Sequence, residues 1–241
     1  MKYNIGDKFT NKEGCVFSII RNEGKNCDVQ FEDGGILYNI RRAFIQNTPK
    51  NPNYPYKLGV GYMGYGDYDS INSPKAYRTW SNILNRCYNK STQIKQPTYV
   101  GIVICEEWKC FQNFAKWFEI NFSENYVLDK DILIKGNKVY SPETCCFVPQ
   151  EINNLFTKRE SKRGDLPIGV QKLNNDKFKS QITINGIRKT IGTNYNTHIE
   201  AFHAYKIVKE DYIKEVANKW FGKISEKCYQ AMINYKVEIT D

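Results

Sequence analysis

The sequence predicts a modular α+β protein, because strand-type and helix-type patterns occupy separate stretches of the chain. Residues 1–46 contain three β-rich runs separated by turn residues, a pattern that favours a small, strongly bent sheet. Residues 128–156 follow the order strand, turn, strand, helix, and residues 167–206 follow the order three short strands, then a capped helix. We therefore expect a β-barrel-like N-terminal module, a central strand–strand–helix unit wrapped by helices, and a C-terminal three-stranded sheet with a helix.

These patterns predict four segments: a β module at 1–46, a linker at 47–58, a central domain at 59–157 and a C-terminal domain at 158–241. In the β module the runs are 16–20, 29–31 and 36–40, with turn residues between them. The linker prediction depends on Pro49, Pro52 and Pro55, because three prolines in a short polar stretch stiffen the chain.

The central domain opens with a glycine-rich stretch, 59–66, followed by two predicted helices. The stretch lacks the Lys-Ser/Thr of a phosphate-binding loop, so a structural or substrate-adjacent loop is favoured and a phosphate contact is the alternative. Ser73 and Pro74 are a typical helix start, and a second helix is predicted near 106–120. The aromatic stripes on both helices indicate core packing rather than a binding platform.

In the C-terminal domain, residues 197–200 read THIE, a capping box that begins a helix. The apolar face of this helix is predicted to contain Ala201, Ala204, Tyr205, Val208 and Tyr212. The only two histidines, His198 and His203, lie at its start. Packing or surface positions are more usual there than metal ligation.

The charge of the chain points to a polyanionic partner. Its formal net charge is +9, and nucleic acid is the commonest partner of so basic a protein; a generic soluble basic protein is the alternative. Residues 158–189 hold nine Lys or Arg against three Asp or Glu, a local charge of +6. A solvated basic face is the alternative reading of that segment. Four of these cations precede the predicted sheet and are expected to track phosphates: Lys158, Arg159, Lys162 and Arg163.

A cytoplasmic protein without membrane association is expected. No apolar run approaches the roughly 18–20 residues that span a bilayer, and the first residues lack a signal-peptide core. The eight cysteines are expected to be reduced thiols. Because no CxxC spacing occurs, zinc is not expected, although Cys87, Cys105, Cys110 and one of the pair Cys145 and Cys146 are candidates to converge on a metal.

The segment 128–156 carries the candidate chemistry. Asp129 and Asp131 lie on a strand-like run, a turn follows at 136–137, residues 139–140 return, and the helix at 150–156 carries Asn153 and Asn154. Two oxygen ligands from separate elements can hold one Mg²⁺ together with several waters. Such an ion can stabilise the leaving oxygen of a cleaved phosphodiester. The alternative is a solvated hairpin followed by a helix capped by amides.

Three blocks in order, residues 77–88, 101–117 and 128–154, resemble the phage-borne HNH (His-Me finger) endonuclease family. The resemblance implies a ββα finger that cuts DNA with one divalent ion, Mg²⁺ or Mn²⁺. Asp129 then occupies the metal-ligand position, and Asn153 or Asn154 matches the helical asparagine. Lys130 stands where the family has its general-base histidine. Because a lysine is ordinarily already protonated at neutral pH, Asp131 or a metal-bound water is the alternative base.

Residues 167–206 resemble the plant ethylene-response-factor type of DNA-binding domain, which also occurs fused to HNH nucleases. The matching residues include Gly169 and Val170, the run 178–182, the run 188–193, and Glu200 with Ala201. The resemblance implies a sheet that lies in the major groove of DNA. The side chains expected to contact DNA are Gln171, Lys172, Lys179, Gln181, Arg188, Lys189 and Thr190.

Together these patterns predict a DNA endonuclease of phage or homing type, a hydrolase that nicks or cuts duplex DNA with a divalent metal. One alternative is a catalytically inactive DNA-binding protein, a regulator or anti-host factor that retains a degenerate finger. A second alternative is an inhibitor that docks on a host protein through residues 1–46. A phage-encoded protein of any of these classes is expected to act in the host cytoplasm.

Overall fold

The computed structural model describes residues 3–45, 49–157 and 165–241, and within them the protein is a mixed α+β fold. The strands of this part of the chain are β1 (Lys8–Thr10), β2 (Val16–Glu23), β3 (Asn26–Phe31), β4 (Ile36–Arg41), β5 (Val103–Ile104), β6 (Tyr126–Asp129), β7 (Val139–Tyr140), β8 (Cys146–Pro149), β9 (Val170–Lys172), β10 (Phe178–Ile184) and β11 (Ile187–Tyr195). The α-helices are α1 (Pro74–Tyr88), α2 (Lys90–Lys95), α3 (Glu106–Lys109), α4 (Phe111–Asn121), α5 (Gln150–Phe156), α6 (His198–Lys219) and α7 (Glu226–Ile233).

The chain divides into two compact units: Met1–Ile120 with Lys138–Ser141, and Asn121–Asn137 with Pro142–Asp241. The predicted central domain, 59–157, contributes residues to both units, so the predicted domain boundaries stay a prediction. None of the described helices combines the length and the apolar character needed to cross a bilayer.

In the first unit, β1 to β4 form an antiparallel sheet in sequential order. Alternate residues of β2 and β3, among them Phe17, Ile19, Val29 and Phe31, are buried in its core. The predicted barrel-like closure is not present: among the described residues the sheet is open, with β1 and β4 at its edges. A three-residue β1 is too short to close so small a sheet, since closure requires tilted strands that pair around the full circumference.

The predicted linker is bound to this sheet from Pro49 onward. The side-chain amide of Asn11 donates to the Pro49 carbonyl at 2.9 Å. The carboxylate of Asp33 accepts from the amides of Asn51 at 3.1 Å and Asn53 at 3.0 Å. These hydrogen bonds attach the proline-rich stretch to the sheet, so it does not behave as a free spacer there.

The second predicted helix is interrupted, and it appears as α3 and α4. Cys110 between them is extended, because the backbone on either side of it pairs with the glycine-rich stretch: Tyr62 N–H donates to the Lys109 carbonyl and Phe111 N–H donates to the Tyr62 carbonyl. Close packing explains a glycine in that stretch. A Cβ at Gly61 would lie 2.4 Å from a Leu84 methyl carbon, so the stretch has a structural role here.

The second unit contains the antiparallel sheet β11-β10-β9, with α6 packed on one of its faces. Asn185 and Gly186 form the β10–β11 turn with φ of 51° and 78°, the left-handed geometry that suits a two-residue hairpin. Val170 and Ile182 from the sheet, with Ala201 from α6, are buried in the core that they share with α7. This agrees with the predicted order of three strands and a helix.

The predicted capping box at the start of α6 is present in altered form. The Thr197 hydroxyl oxygen accepts from the Glu200 N–H at 3.1 Å, as predicted. The Glu200 carboxylate accepts from the N–H of Asn196 at 2.9 Å, one residue before the cap. Both hydrogen bonds satisfy N–H groups at the entry to the helix, which otherwise lack helical partners.

Replacing Thr197 with Ala is expected to lower the free energy of unfolding by about 1 kcal/mol, because the cap oxygen is lost. Thr197→Ser, which keeps that oxygen, is the matched control and is expected to be close to wild type. Urea unfolding followed by circular dichroism measures both. An equal loss in the two variants would mean that the hydroxyl does not cap the helix.

Candidate functional site

The strand–strand–helix order is present, but with a different return strand. β6 pairs antiparallel with β8, in the register Asp129 opposite Cys146, and α5 follows β8 without a break. The predicted return strand, residues 139–140, is β7, and it pairs in parallel with β5 instead. The first strand also ends earlier than predicted. Its last residue is Asp129, because that side chain turns the backbone immediately after it.

Asp129 acts as a turn-forming residue. Its Oδ1 accepts from the N–H groups of Asp131 at 2.7 Å and Ile132 at 2.8 Å. A carboxylate that bonds its own backbone two residues on is a usual way to reverse a strand. Burial raises the pKa of the Asp129 carboxyl, and the two backbone hydrogen bonds oppose that shift.

Lys130 closes the loop between β6 and residue 137. The side chain is buried, and its Nζ donates to Asp131 Oδ1 at 2.6 Å and to the Asn137 carbonyl at 2.8 Å. The Asn137 amide donates back to the Lys130 carbonyl at 2.8 Å. Both contacts hold the ammonium within the loop, so they give Lys130 a structural role there.

The helical asparagines do not join Asp129. α5 buries Ile152, which directs Asn154 to the surface, where its carbonyl accepts from the Gln150 amide at 2.8 Å. The backbone carbonyl of Asn153 accepts from the Thr157 hydroxyl at 3.1 Å. In the part of the chain that the structure describes, neither asparagine side chain is hydrogen-bonded to Asp129.

Several of the candidate metal ligands are engaged by other groups of the protein in this structure. One oxygen of Asp129 already serves two N–H groups, and Asp131 is paired with Lys130. Opposite Asp129, a hydrogen bond with Cys228 and burial raise the pKa of the Cys146 thiol. Within residues 3–45, 49–157 and 165–241, no three His, Cys, Asp or Glu side chains are placed to hold a metal ion.

The predicted DNA-contacting residues separate onto two faces of the β9–β11 sheet. Directly opposite residues of an antiparallel pair share a face. The register pairs Lys179 with Gln171 and Gln181 with Thr190, and it pairs Thr183 with Arg188. Strand alternation along β10 puts these pairs on the side of the strand opposite the buried Ser180 and Ile182. We call the set Gln171, Lys179, Gln181, Thr183, Arg188 and Thr190 the outer face.

Lys172 and Lys189 belong to the other side. Lys172 pairs with Phe178, and Lys189 pairs with Ile182, and both of these partners pack in the core with α6. Lys172 is also engaged locally, because its Nζ lies 2.8 Å from Asp176 Oδ1. By register these two lysines are at the rim of the sheet, apart from the outer face.

Sequence reasoning missed Thr183. Every second residue of β10 lies on the same side, so Thr183 follows Lys179 and Gln181 on the outer face. Extending this alternation along the whole strand would have identified Thr183 from the sequence. The outer face therefore carries two cations, two amides and two hydroxyls, and no carboxylate. The four basic residues expected to track phosphates, Lys158, Arg159, Lys162 and Arg163, lie outside the described residues.

No protein-family model, curated protein or solved structure matches this chain. The assignment of a function therefore depends on the chemistry of the outer face and of the turn at Asp129.

Asp129→Asn is expected to leave the free energy of unfolding at neutral pH unchanged or to raise it, because the amide oxygen can accept the same two hydrogen bonds without a buried charge. Asp129→Ala leaves both N–H groups without an acceptor and is expected to lower it by about 1–3 kcal/mol. Urea unfolding measures both variants. A Mg²⁺-dependent rise in the melting temperature of wild type that Asp129→Asn abolishes would instead identify a metal ligand.

Proposed function

We propose that this protein binds duplex DNA through the outer face and acts by occupying DNA rather than by cutting it. The observation that carries the proposal is the register of the sheet, which gathers Arg188, Lys179 and Gln181 on the side opposite the buried Ser180 and Ile182. Within this proposal the chain is modular: an open N-terminal β sheet, a strand–strand–helix finger with its helices, and a C-terminal DNA reader.

The chemistry of the outer face suits DNA. A glutamine amide can bond the edge of adenine, and an arginine can bond guanine, whereas a lysine more often contacts phosphate. A sheet can enter the major groove when its opposite face is supported, and α6 supplies that support. The basic excess of the chain adds attraction that is independent of DNA sequence and weakens with salt.

The finger supports binding without cleavage because it lacks a proton acceptor at the position where the HNH family has histidine. The ammonium of Lys130 is held by Asp131 and by the Asn137 carbonyl. Neither histidine of the chain belongs to the finger: His198 and His203 are both on α6, and the ring of His198 packs against Phe178. A regulator or an anti-host factor fits these properties.

A second candidate is the metal-dependent endonuclease that the family resemblance implies. The observation in its favour is the order β6, β8, α5 with a carboxyl group at the end of β6. In that candidate Asp129 releases its backbone hydrogen bonds to take Mg²⁺ or Mn²⁺, and Asp131 or a metal-bound water replaces the missing histidine.

Arg188→Ala is expected to weaken duplex binding by about 1–3 kcal/mol, because a charged hydrogen bond to the duplex is lost. Arg78→Ala is the matched control, since Arg78 is an exposed arginine on α1 and its loss changes the charge equally. Fluorescence anisotropy with a labelled duplex, at two salt concentrations, measures both. Equal affinity of Arg188→Ala and Arg78→Ala would reject the outer face as the DNA contact.

Supercoiled plasmid incubated with the protein and Mg²⁺ or Mn²⁺ is expected to remain supercoiled, although a gel shift detects binding. Two controls decide between the candidates: EDTA, and the variant Asp129→Ala. Nicking that both controls abolish would establish the second candidate and exclude a role limited to occupying DNA.

A further inference from the structure

A lysine interrupts the buried stripe of α6. Phe202, Tyr205, Tyr212 and Val216 are spaced as successive positions on one helical face, and all four are buried. Lys209 occupies the place between Tyr205 and Tyr212 in this series. The pattern favours an apolar side chain there, and Lys209 is half-buried at this place.

Lys209 lines a cleft of about 440 Å³ inside the second unit. Arg188 and Gln181 from the sheet line the same cleft, as do Tyr205 and Tyr212 from α6. β9 begins opposite Ser180, so the last residues of β10 extend past it and border the cleft. A hydrogen bond of 3.3 Å from the Tyr212 hydroxyl to Asn185 Oδ1 joins α6 to the β10–β11 turn and forms one wall.

Among the described residues, the acids beside the cleft are paired with groups other than Lys209. Glu151 is an acidic residue that lines it, and this carboxylate accepts from Lys219 Nζ at 2.8 Å and from Trp220 Nε1 at 2.8 Å. Asp241, beside a smaller adjoining cavity, is paired with Lys135 at 2.8 Å. In the described part of the chain Lys209 has no salt-bridge partner, and burial lowers the pKa of its ammonium to about 8.

One acceptor in the cleft also lacks a partner. The side-chain carbonyl oxygen of Gln181 is buried and, among the described residues, receives no hydrogen bond. A buried acceptor of this kind is costly unless a donor reaches it. A phosphate at physiological pH supplies acceptors for the two cations but few donors, whereas the amino group of a nucleobase supplies a donor.

We propose that this cleft binds a nucleotide, with its phosphate at Lys209 and Arg188, its base amino group at Gln181, and the tyrosine rings as walls. The nucleotide has two conceivable sources, a unit of the bound DNA strand or a free mononucleotide. For a nucleotide of bound DNA, the inference rests on the proposed function and extends the DNA contact from the outer face around the edge of β10.

The test compares Lys209→Met with Lys214→Met, which removes one positive charge from the same helix outside the cleft. Duplex DNA and 5′-dAMP are the two probes. With duplex, Lys209→Met is expected to lose about tenfold in affinity, as for one charged hydrogen bond, and to reduce the salt slope by about 1. Lys214→Met is expected to bind as wild type does.

A second measurement uses the wild-type protein and needs no variant to fold. Lys209 is labelled with an amine-reactive reagent, and mass spectrometry quantifies its labelling with and without each probe, relative to Lys214. Protection of Lys209 by duplex identifies the DNA strand as the source, and protection by 5′-dAMP alone identifies a free nucleotide. Both outcomes support the cleft as a nucleotide site.

These experiments can reject the nucleotide site and the proposed DNA binding independently of each other. If wild type does not bind duplex, the proposed function is wrong, and protection by 5′-dAMP still decides the cleft. If duplex binds but neither probe protects Lys209, and Lys209→Met behaves as Lys214→Met does, the nucleotide site is rejected while DNA binding by the outer face stands.

Discussion

The burial of α6 against the β9–β11 sheet determines which side chains of the second unit are available to a ligand. Val170 and Ile182 are held in that core, so strand alternation turns Gln181 and its neighbours on β10 out of that core. The same contact supports the sheet from behind, which a sheet needs if it is to press into a DNA groove. The cleft lies beside this core, where the last residues of β10 extend past β9. The outer face and the cleft thus both adjoin the same core.

Two lysines near the cores illustrate how a charge can be accommodated. Lys130 has a carboxylate and a backbone carbonyl within 2.8 Å, and its ammonium holds a loop closed. Lys209 is placed among tyrosines and has no acid partner in the described part of the chain. A buried charge is tolerated when it is paired and costly when it is not. The first lysine therefore explains a local structure, whereas the second, which is half-buried, is the basis of the proposed nucleotide site.

Local patterns predicted the elements whose partners are close in sequence. The three strands and helix of 167–206, the cap at Thr197 and the α1 stripe around Trp80 all agree with the structure. The predictions that depend on distant partners were less successful. The helix near 106–120 is broken at Cys110 because residue 62 pairs there, and the return strand at 139–140 pairs with β5. No periodicity within these segments encodes such pairing, since each hydrogen bond joins residues far apart in the chain.

For the candidate site, the sequence by itself determined which chemical groups are present: a basic segment, amides and cations on three short strands, and a lysine, Lys130, between two aspartates. Only the tertiary structure decided which of these groups lie on the outer face and which are bound by other groups of the protein. The register moved Lys172 and Lys189 away from the outer face and added Thr183 to it. The turn at Asp129 committed that carboxylate to two N–H groups, and the loop paired Lys130 with Asp131. Composition and spacing state which groups a chain contains, but the energy of a charge depends on its burial and its partners, which exist only after the chain has folded.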